Sequence, residues 1–140
     1  MTTEDNKLFD QQFMEMVLNN EKSELLKNFY TSEFVDRMLE EALILRKAFP
    51  DLHYIIEDQI AEKDKIVTRW TASGTHRGEL VSPGHPGSPA IPPTGKRVSW
   101  GGVTISRLAM GKYVEQWINI DKLSILQQLG AVQILSKRAY

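Results

Sequence analysis

The spacing of apolar residues changes near residue 50, and that change limits the fold more than any other feature of the chain. Before it, apolar side chains recur every three or four positions: Phe9, Phe13, Met16 and Val17, then Leu25, Leu26 and Phe29, then Met38, Ala42, Leu45 and Phe49. This is the period of helices with one buried face. Thr3 is placed to cap the first helix, with Glu4 and Asp5 at its positive end. Pro50 disfavours helical geometry at Phe49, so the third helix is predicted to stop there. Beyond it, β-branched and aromatic residues alternate over Leu52–Ile60, Ile66–Thr75, Val98–Leu108 and Tyr113–Ile120, which predicts four strands.

Short links join these strands in pairs. Glu62–Lys65 turns the first pair, and Ala109-Met110-Gly111 the second, with Gly111 suited to the left-handed position of a tight hairpin. Both pairs are therefore expected to be antiparallel. Asp121 offers a cap to a last helix carrying Leu123, Leu126 and Leu129, and Gly130 is placed to end it. Between the second and third strands, Ser82–Gly95 holds five of the six prolines and three of the nine glycines, a composition that excludes regular structure. It reads either as a binding loop or as a plain surface insertion, and residues 131–140 read as a tail. Helices, then an antiparallel sheet, then one helix make a single α+β domain over residues 1–140, with the helices on one face of the sheet. Gly74, Gly78, Gly101 and Gly102 are candidate points at which such a sheet bends around a pocket, or else packing glycines.

Composition narrows the function. A net charge of −1 from 17 basic and 18 acidic residues gives no basic excess for phosphate, so nucleic acid is not expected as a partner. The longest aliphatic run, Ala42–Leu45, is far short of the roughly 20 residues of a membrane span, and the acidic N-terminus has no signal-peptide pattern. The expectation is a cytoplasmic protein without membrane contact. With no cysteine, thiolate catalysis, disulfides and thiolate metal sites are excluded. Three dispersed histidines, His53, His76 and His85, without HExxH spacing give no reason to expect a metal centre. Phosphate-binding glycine loops and GxSxG are absent, so cofactor-free chemistry is the default.

The polar residues of the strands supply the candidate site. Simple alternation puts Tyr113, Glu115, Trp117 and Asn119 on one face of the last strand, with Val114, Gln116, Ile118 and Ile120 on the other. The first set either faces solvent or lines a polar pocket. Asp121 is either a helix N-cap or a carboxylate at the pocket wall acting as general base. On the second strand, Arg69 shares a face with Thr71 and Ser73, and either binds a substrate oxygen or makes a structural ion pair. His76, on the opposite face with Trp70 and Ala72, serves either acid/base chemistry or a structural hydrogen bond.

Taken together, FPDLHYIIEDQ (Phe49–Gln59), RWTASGTHRGE (Arg69–Glu79), IPPTGKRV (Ile91–Val98), GKYVEQWINID (Gly111–Asp121) and LQQLG (Leu126–Gly130) resemble a SnoaL-like polyketide cyclase over nearly the whole chain. The resemblance implies a fold of the nuclear transport factor two and ketosteroid isomerase kind, a cone-shaped curved antiparallel sheet around N-terminal helices with an internal pocket. It implies ring closure by intramolecular aldol condensation without metal or organic cofactor. The family's acid/base aspartate matches Asp121, and Asn119, His76 and Arg69 are candidates to stabilise the enolate. Where the family's cyclases place a pocket histidine on the preceding strand, this chain has Arg107 and no histidine in Thr104–Leu108. Asp121 and His76 are thus the catalytic candidates, and Arg69, Trp117, Asn119 and Arg107 the substrate-binding ones. A small hydrophobic molecule in the pocket and a second copy of the chain are the implied partners. The leading reading is a cofactor-independent enzyme on a hydrophobic carbonyl compound; the others are a non-catalytic binding domain and a dimerising scaffold.

Overall fold

The computed structural model describes residues 2–81 and 89–132; residues 82–88, which include His85 and half of the Pro/Gly-rich segment, and most of the tail, 133–140, lie outside the described residues. The first helix, α1 (Thr3–Phe13), is capped by Thr2 and not by Thr3. Thr2 Oγ1 accepts the Asp5 N–H at 3.1 Å while Asp5 Oδ2 accepts the Thr2 N–H at 3.0 Å, a reciprocal cap that needs the carboxylate three residues after the cap. The chain then widens into a π turn, Met14–Asn19, tightens into a 3-10 turn, Ser23–Leu25, and enters the short α2 (Leu26–Phe29) and the long α3 (Ser32–Ala48). The last of these stops where Pro50 requires.

The strands β1 (His53–Glu62), β2 (Lys65–Thr75), β3 (Arg97–Ala109) and β4 (Lys112–Ile120) form one antiparallel sheet in sequence order. The β3–β4 hairpin turns on two left-handed residues, Met110 (φ 51°) and Gly111 (φ 73°), whose twist matches that of the strands they join. Along β2, Ile66, Thr68, Trp70, Ala72 and Gly74 are buried on the concave side, opposite Val98, Trp100, Ser106 and Leu108 of β3. Trp70 lies against the β3 backbone at Gly102, where a Cβ would stand 2.2 Å from the indole ring. Through Gly101 and Gly102 the β2–β3 ladder runs without interruption, so neither glycine bulges, and of the two only Gly102 admits a close neighbour. The bulges fall elsewhere, at Glu57 in β1 and at Val114 in β4.

The β4 bulge corrects the alternation expected from sequence. Arg107 pairs with Glu115 but Leu108 pairs with Tyr113, so Val114 is an extra residue and the faces exchange across it. Tyr113 turns inward and joins Gln116, Ile118 and Ile120 on the concave side, while Glu115, Trp117 and Asn119 lie on the convex side.

Two apolar clusters fill the cone. One gathers Phe13, Val17, Leu26, Phe29, Tyr30, Ile66, Leu108 and Tyr113; the other gathers Met14, Phe49, Leu52, Trp70, Val98, Trp100, Ile125 and Leu129. The final helix, α4 (Lys122–Gln128), adds Ile125 to the second, and Leu123, expected on its buried face, is 55% exposed. Gln128 fixes this helix to the sheet by accepting the Ser99 N–H at 3.0 Å and donating to the Ser99 carbonyl at 2.7 Å. The helix α3 spans about 25 Å at 1.5 Å per residue. It starts where Thr31 N–H donates to the Tyr113 carbonyl and ends where Ala48 O receives Arg77 N–H and Phe49 stacks on Trp100. It therefore runs alongside the concave face from the Tyr113 end of β4 toward the Asp121 end. Of its 17 residues only Ala48 is fully buried, while Phe34, Val35, Met38, Leu39 and Leu45 are partly buried against the two clusters.

Candidate functional site

Asp121 stands between β4 and α4. Its N–H donates to the Gly101 carbonyl at 3.1 Å, which holds the end of β4 against β3, and its Oδ1 accepts the Ser124 N–H at 3.0 Å as the N-cap of α4. The carboxylate is exposed, and among the described residues no other hydrogen bond engages it.

His76 is fully buried just beyond β2 and clasps the IPPTGK segment. Its N–H donates to Lys96 O at 2.9 Å, its carbonyl accepts the Gly95 N–H at 2.8 Å, and its Nδ1 accepts the Thr94 N–H at 3.2 Å. Because Nδ1 accepts, the neutral ring carries its proton on Nε2, which has no hydrogen-bond partner among the described residues. Burial, with Phe49 stacked 5.4 Å away, lowers the pKa of the imidazole. Its hydrogen bonds make it a structural clasp between two sequence motifs.

The remaining residues singled out from sequence lie on the convex side. Arg69 is exposed there, paired across the sheet with Asp58 and Val103. Arg107 Nε donates to Glu115 Oε1 at 2.5 Å, an ion pair at the surface. Trp117 and Asn119 are exposed, with Lys65 Nζ 6.0 Å from the Trp117 ring centre. The fold does not gather these four around Asp121 or His76.

What it does gather is a polar system that the sequence reading did not single out. Asp10, buried on α1, accepts hydrogen bonds from Tyr113 Oη (2.5 Å), Thr68 Oγ1 (2.5 Å) and Gln59 Nε2 (3.0 Å). Beside it, Tyr30 Oη donates to Gln116 Oε1 at 2.6 Å, and Gln116 Nε2 donates to Ser106 Oγ at 2.9 Å. Burial, then the Asp10 charge, push both phenols far above their ordinary range, so they remain donors. A signal for Asp10 was present, since Asn6 and Asp10 continue the buried stripe of Phe13 and Val17 on α1. Gln116 carried a signal too, as a polar residue on the strand face of Ile118 and Ile120, whereas the bulge at Val114 is what brings Tyr113 to the same side. Next to this chain of hydrogen bonds lies a cleft of about 250 Å³, lined by Tyr30, Phe34, Arg37, Gln116 and Trp117 among others. No group of three or more potential metal ligands occurs among the described residues, and none of their helices is long and apolar enough to cross a membrane.

A curved antiparallel sheet closed by N-terminal helices defines a cone-shaped α+β protein. A family model for SnoaL-like polyketide cyclases matches residues 10–129, and the chain belongs to that family. No curated protein sequence matches it. Among solved structures it is similar to AclR of Streptomyces galilaeus, for which a hydroxylase role is proposed, at 27% identity and a TM-score of 0.79, over 99% of this chain and 88% of that one. TsrD of Streptomyces laurentii superposes with a TM-score of 0.82 at 22% identity, over 94% of this chain and 99% of its own. A proposed SnoaL-like polyketide cyclase from Jannaschia sp. CCS1 shares the fold at 18% identity and a TM-score of 0.78, over 91% and 93% of the two chains. These likenesses agree with the cone expected from the sequence motifs.

Proposed function

We propose that the protein is a cofactor-independent enzyme of cyclase type, acting on a small, mostly apolar carbonyl compound held between α3 and the concave side of β3 and β4. Family membership over residues 10–129 supports the reaction class. The single observation that supports the location is the cleft that opens between Phe34 and Arg37 of α3 and Gln116 of β4.

In this reading Asp121 is the acid/base. Its carboxylate removes a proton next to one carbonyl; the resulting enolate carbon attacks a second carbonyl, a C–C bond forms, and the alkoxide takes the proton back from the same carboxyl group. The Ser124 N–H on Oδ1 fixes the group's orientation and leaves Oδ2 to the substrate. His76 acts by positioning the IPPTGK segment, and Arg69, Arg107, Trp117 and Asn119 have no contact with the reacting atoms. The test is turnover of polyketide-type dicarbonyl compounds: Asp121→Asn abolishes product formation while leaving ligand affinity within about twofold. Undiminished turnover in the variant removes Asp121 from the mechanism.

A second reading, binding without turnover, is favoured by one observation. Asp121 is exposed and held as a helix cap, and among the described residues the only carboxylate lining the cleft, Glu115, is taken up by Arg107.

The partner in this proposal is a second copy of the chain, and the location cytoplasmic. Ile60, Val67, Ile105 and Trp117 are mutual neighbours in one row across the convex side of all four strands. The adjoining row, Glu62, Lys65, Arg107 and Glu115, carries both signs of charge, as a self-complementary two-fold contact needs.

A further inference from the structure

The cleft beside Tyr30, between α3 and the edge strand β4, has its own chemistry. Gln116 stands five residues before Asp121 in β4, about 17 Å along an extended strand, so the cleft is separate from the proposed acid/base. Two charged residues line it. Glu115 is neutralised by Arg107 at 2.5 Å, whereas Arg37 has no carboxylate within 4.0 Å among the described residues. Of the two, Arg37 is therefore the charge left open to a ligand. The Arg37 guanidinium lies 5.4 Å from the centre of the Phe34 ring, a cation–π contact that steadies its plane and leaves its edge N–H groups free.

Hydrogen bonding in the wall points the same way. Gln116 spends its oxygen on Tyr30 and one N–H on Ser106, which leaves it one further N–H to donate. With the Arg37 fork, the cleft offers donors in excess of acceptors, next to the flat apolar surfaces of Phe34 and Trp117. Its volume, about 250 Å³, is below the roughly 300–1,000 Å³ of drug-sized pockets, which suits a body of one or two rings.

We infer that the Tyr30–Arg37–Gln116 cleft is a binding site for a carboxylate carried on a flat one- or two-ring body. The carboxylate takes the two edge donors of Arg37, one oxygen also receives the spare Gln116 N–H, and the ring lies between Phe34 and Trp117. Glu41, one turn further along α3, acts on Tyr30 with the opposite charge. Its carboxylate opposes the anion, and removing it strengthens binding.

The test uses 2-naphthoate and the neutral 2-naphthamide as probes, with binding to the full chain measured by calorimetry and by tryptophan fluorescence. Naphthoate is expected to bind at least about tenfold more tightly than the amide, since an ion-paired hydrogen bond is lost in the latter. Arg37→Gln removes that preference without changing amide affinity, and Glu41→Gln raises naphthoate affinity about twofold. Arg37 is exposed, so the variant folds, which a parent-like urea transition confirms. No binding of naphthoate, equal binding of the two probes, or a preference that survives Arg37→Gln would each overturn the assignment. Turnover by Asp121 is read separately and is not altered by any of these outcomes.

Discussion

Replacing Asp10 by alanine removes one acceptor from three donors at once. Two of them cannot reach water: Tyr113 is 0% exposed and Thr68 2%. A buried donor left without a partner costs about 1–3 kcal/mol. Thr68 Oγ1 already accepts from Gln59 Nε2 at 3.3 Å, so its own O–H is left without an acceptor among the described residues. The Tyr113 phenol, enclosed by the rings of Phe9, Phe13 and Tyr30, has no second acceptor among the described residues. Losing the carboxylate also removes the cost of burying its charge, which offsets some of the penalty. The balance is a loss of about 3 kcal/mol, or about 10 °C in Tm for 140 residues with an unfolding entropy near 2.1 cal/mol/K each. Urea unfolding followed by tryptophan fluorescence measures it. Tyr113→Phe alone removes a donor together with its contact and costs about 1 kcal/mol, and Asp10→Ala with Tyr113→Phe is more stable than Asp10→Ala, because the orphaned hydroxyl is gone. An Asp10→Ala protein within 1 kcal/mol of the parent, or a double variant no more stable than the single one, would refute the claim that this carboxylate anchors α1 to the sheet.

Two further predictions concern His76 and the convex sheet. Burial lowers the native pKa of His76 from 6.5, so below pH 6.5 the unfolded chain takes up a proton that the native imidazole resists. The contribution is complete above pH 6.5 and is lost as the pH falls through the native value. Urea midpoints at pH 7.5 and pH 5.5 are expected to differ less in His76→Gln than in the parent, and equal differences would exclude His76 as the source. Ile105→Lys, placed in the middle of the apolar row, is expected to convert a dimer into a monomer by light scattering; a parent protein that is already monomeric at micromolar concentration rules the sheet contact out.

The elements of the fold were legible because their signals are local. The change of period near residue 50, Pro50 after α3, Gly111 in the hairpin and Asp121 before α4 each act through the chain's own backbone within a few residues. The resemblance to the family lay in the same segments, and the cone followed from it. Which side chains meet was decided by tertiary structure. One extra residue at Val114 reverses the faces of β4, so that Gln116 and Tyr113 share the interior and Trp117 and Asn119 do not. Strand alternation has a period of two, and a single inserted residue therefore changes every later assignment without altering the sequence pattern that suggested it. The partners of Asp10 are 49, 58 and 103 residues away, and the cleft beside Tyr30 is lined by α3 and β4, which lie about 80 positions apart in the chain. Distances of that kind are set by how the helices dock on the sheet, which no local pattern in the chain encodes.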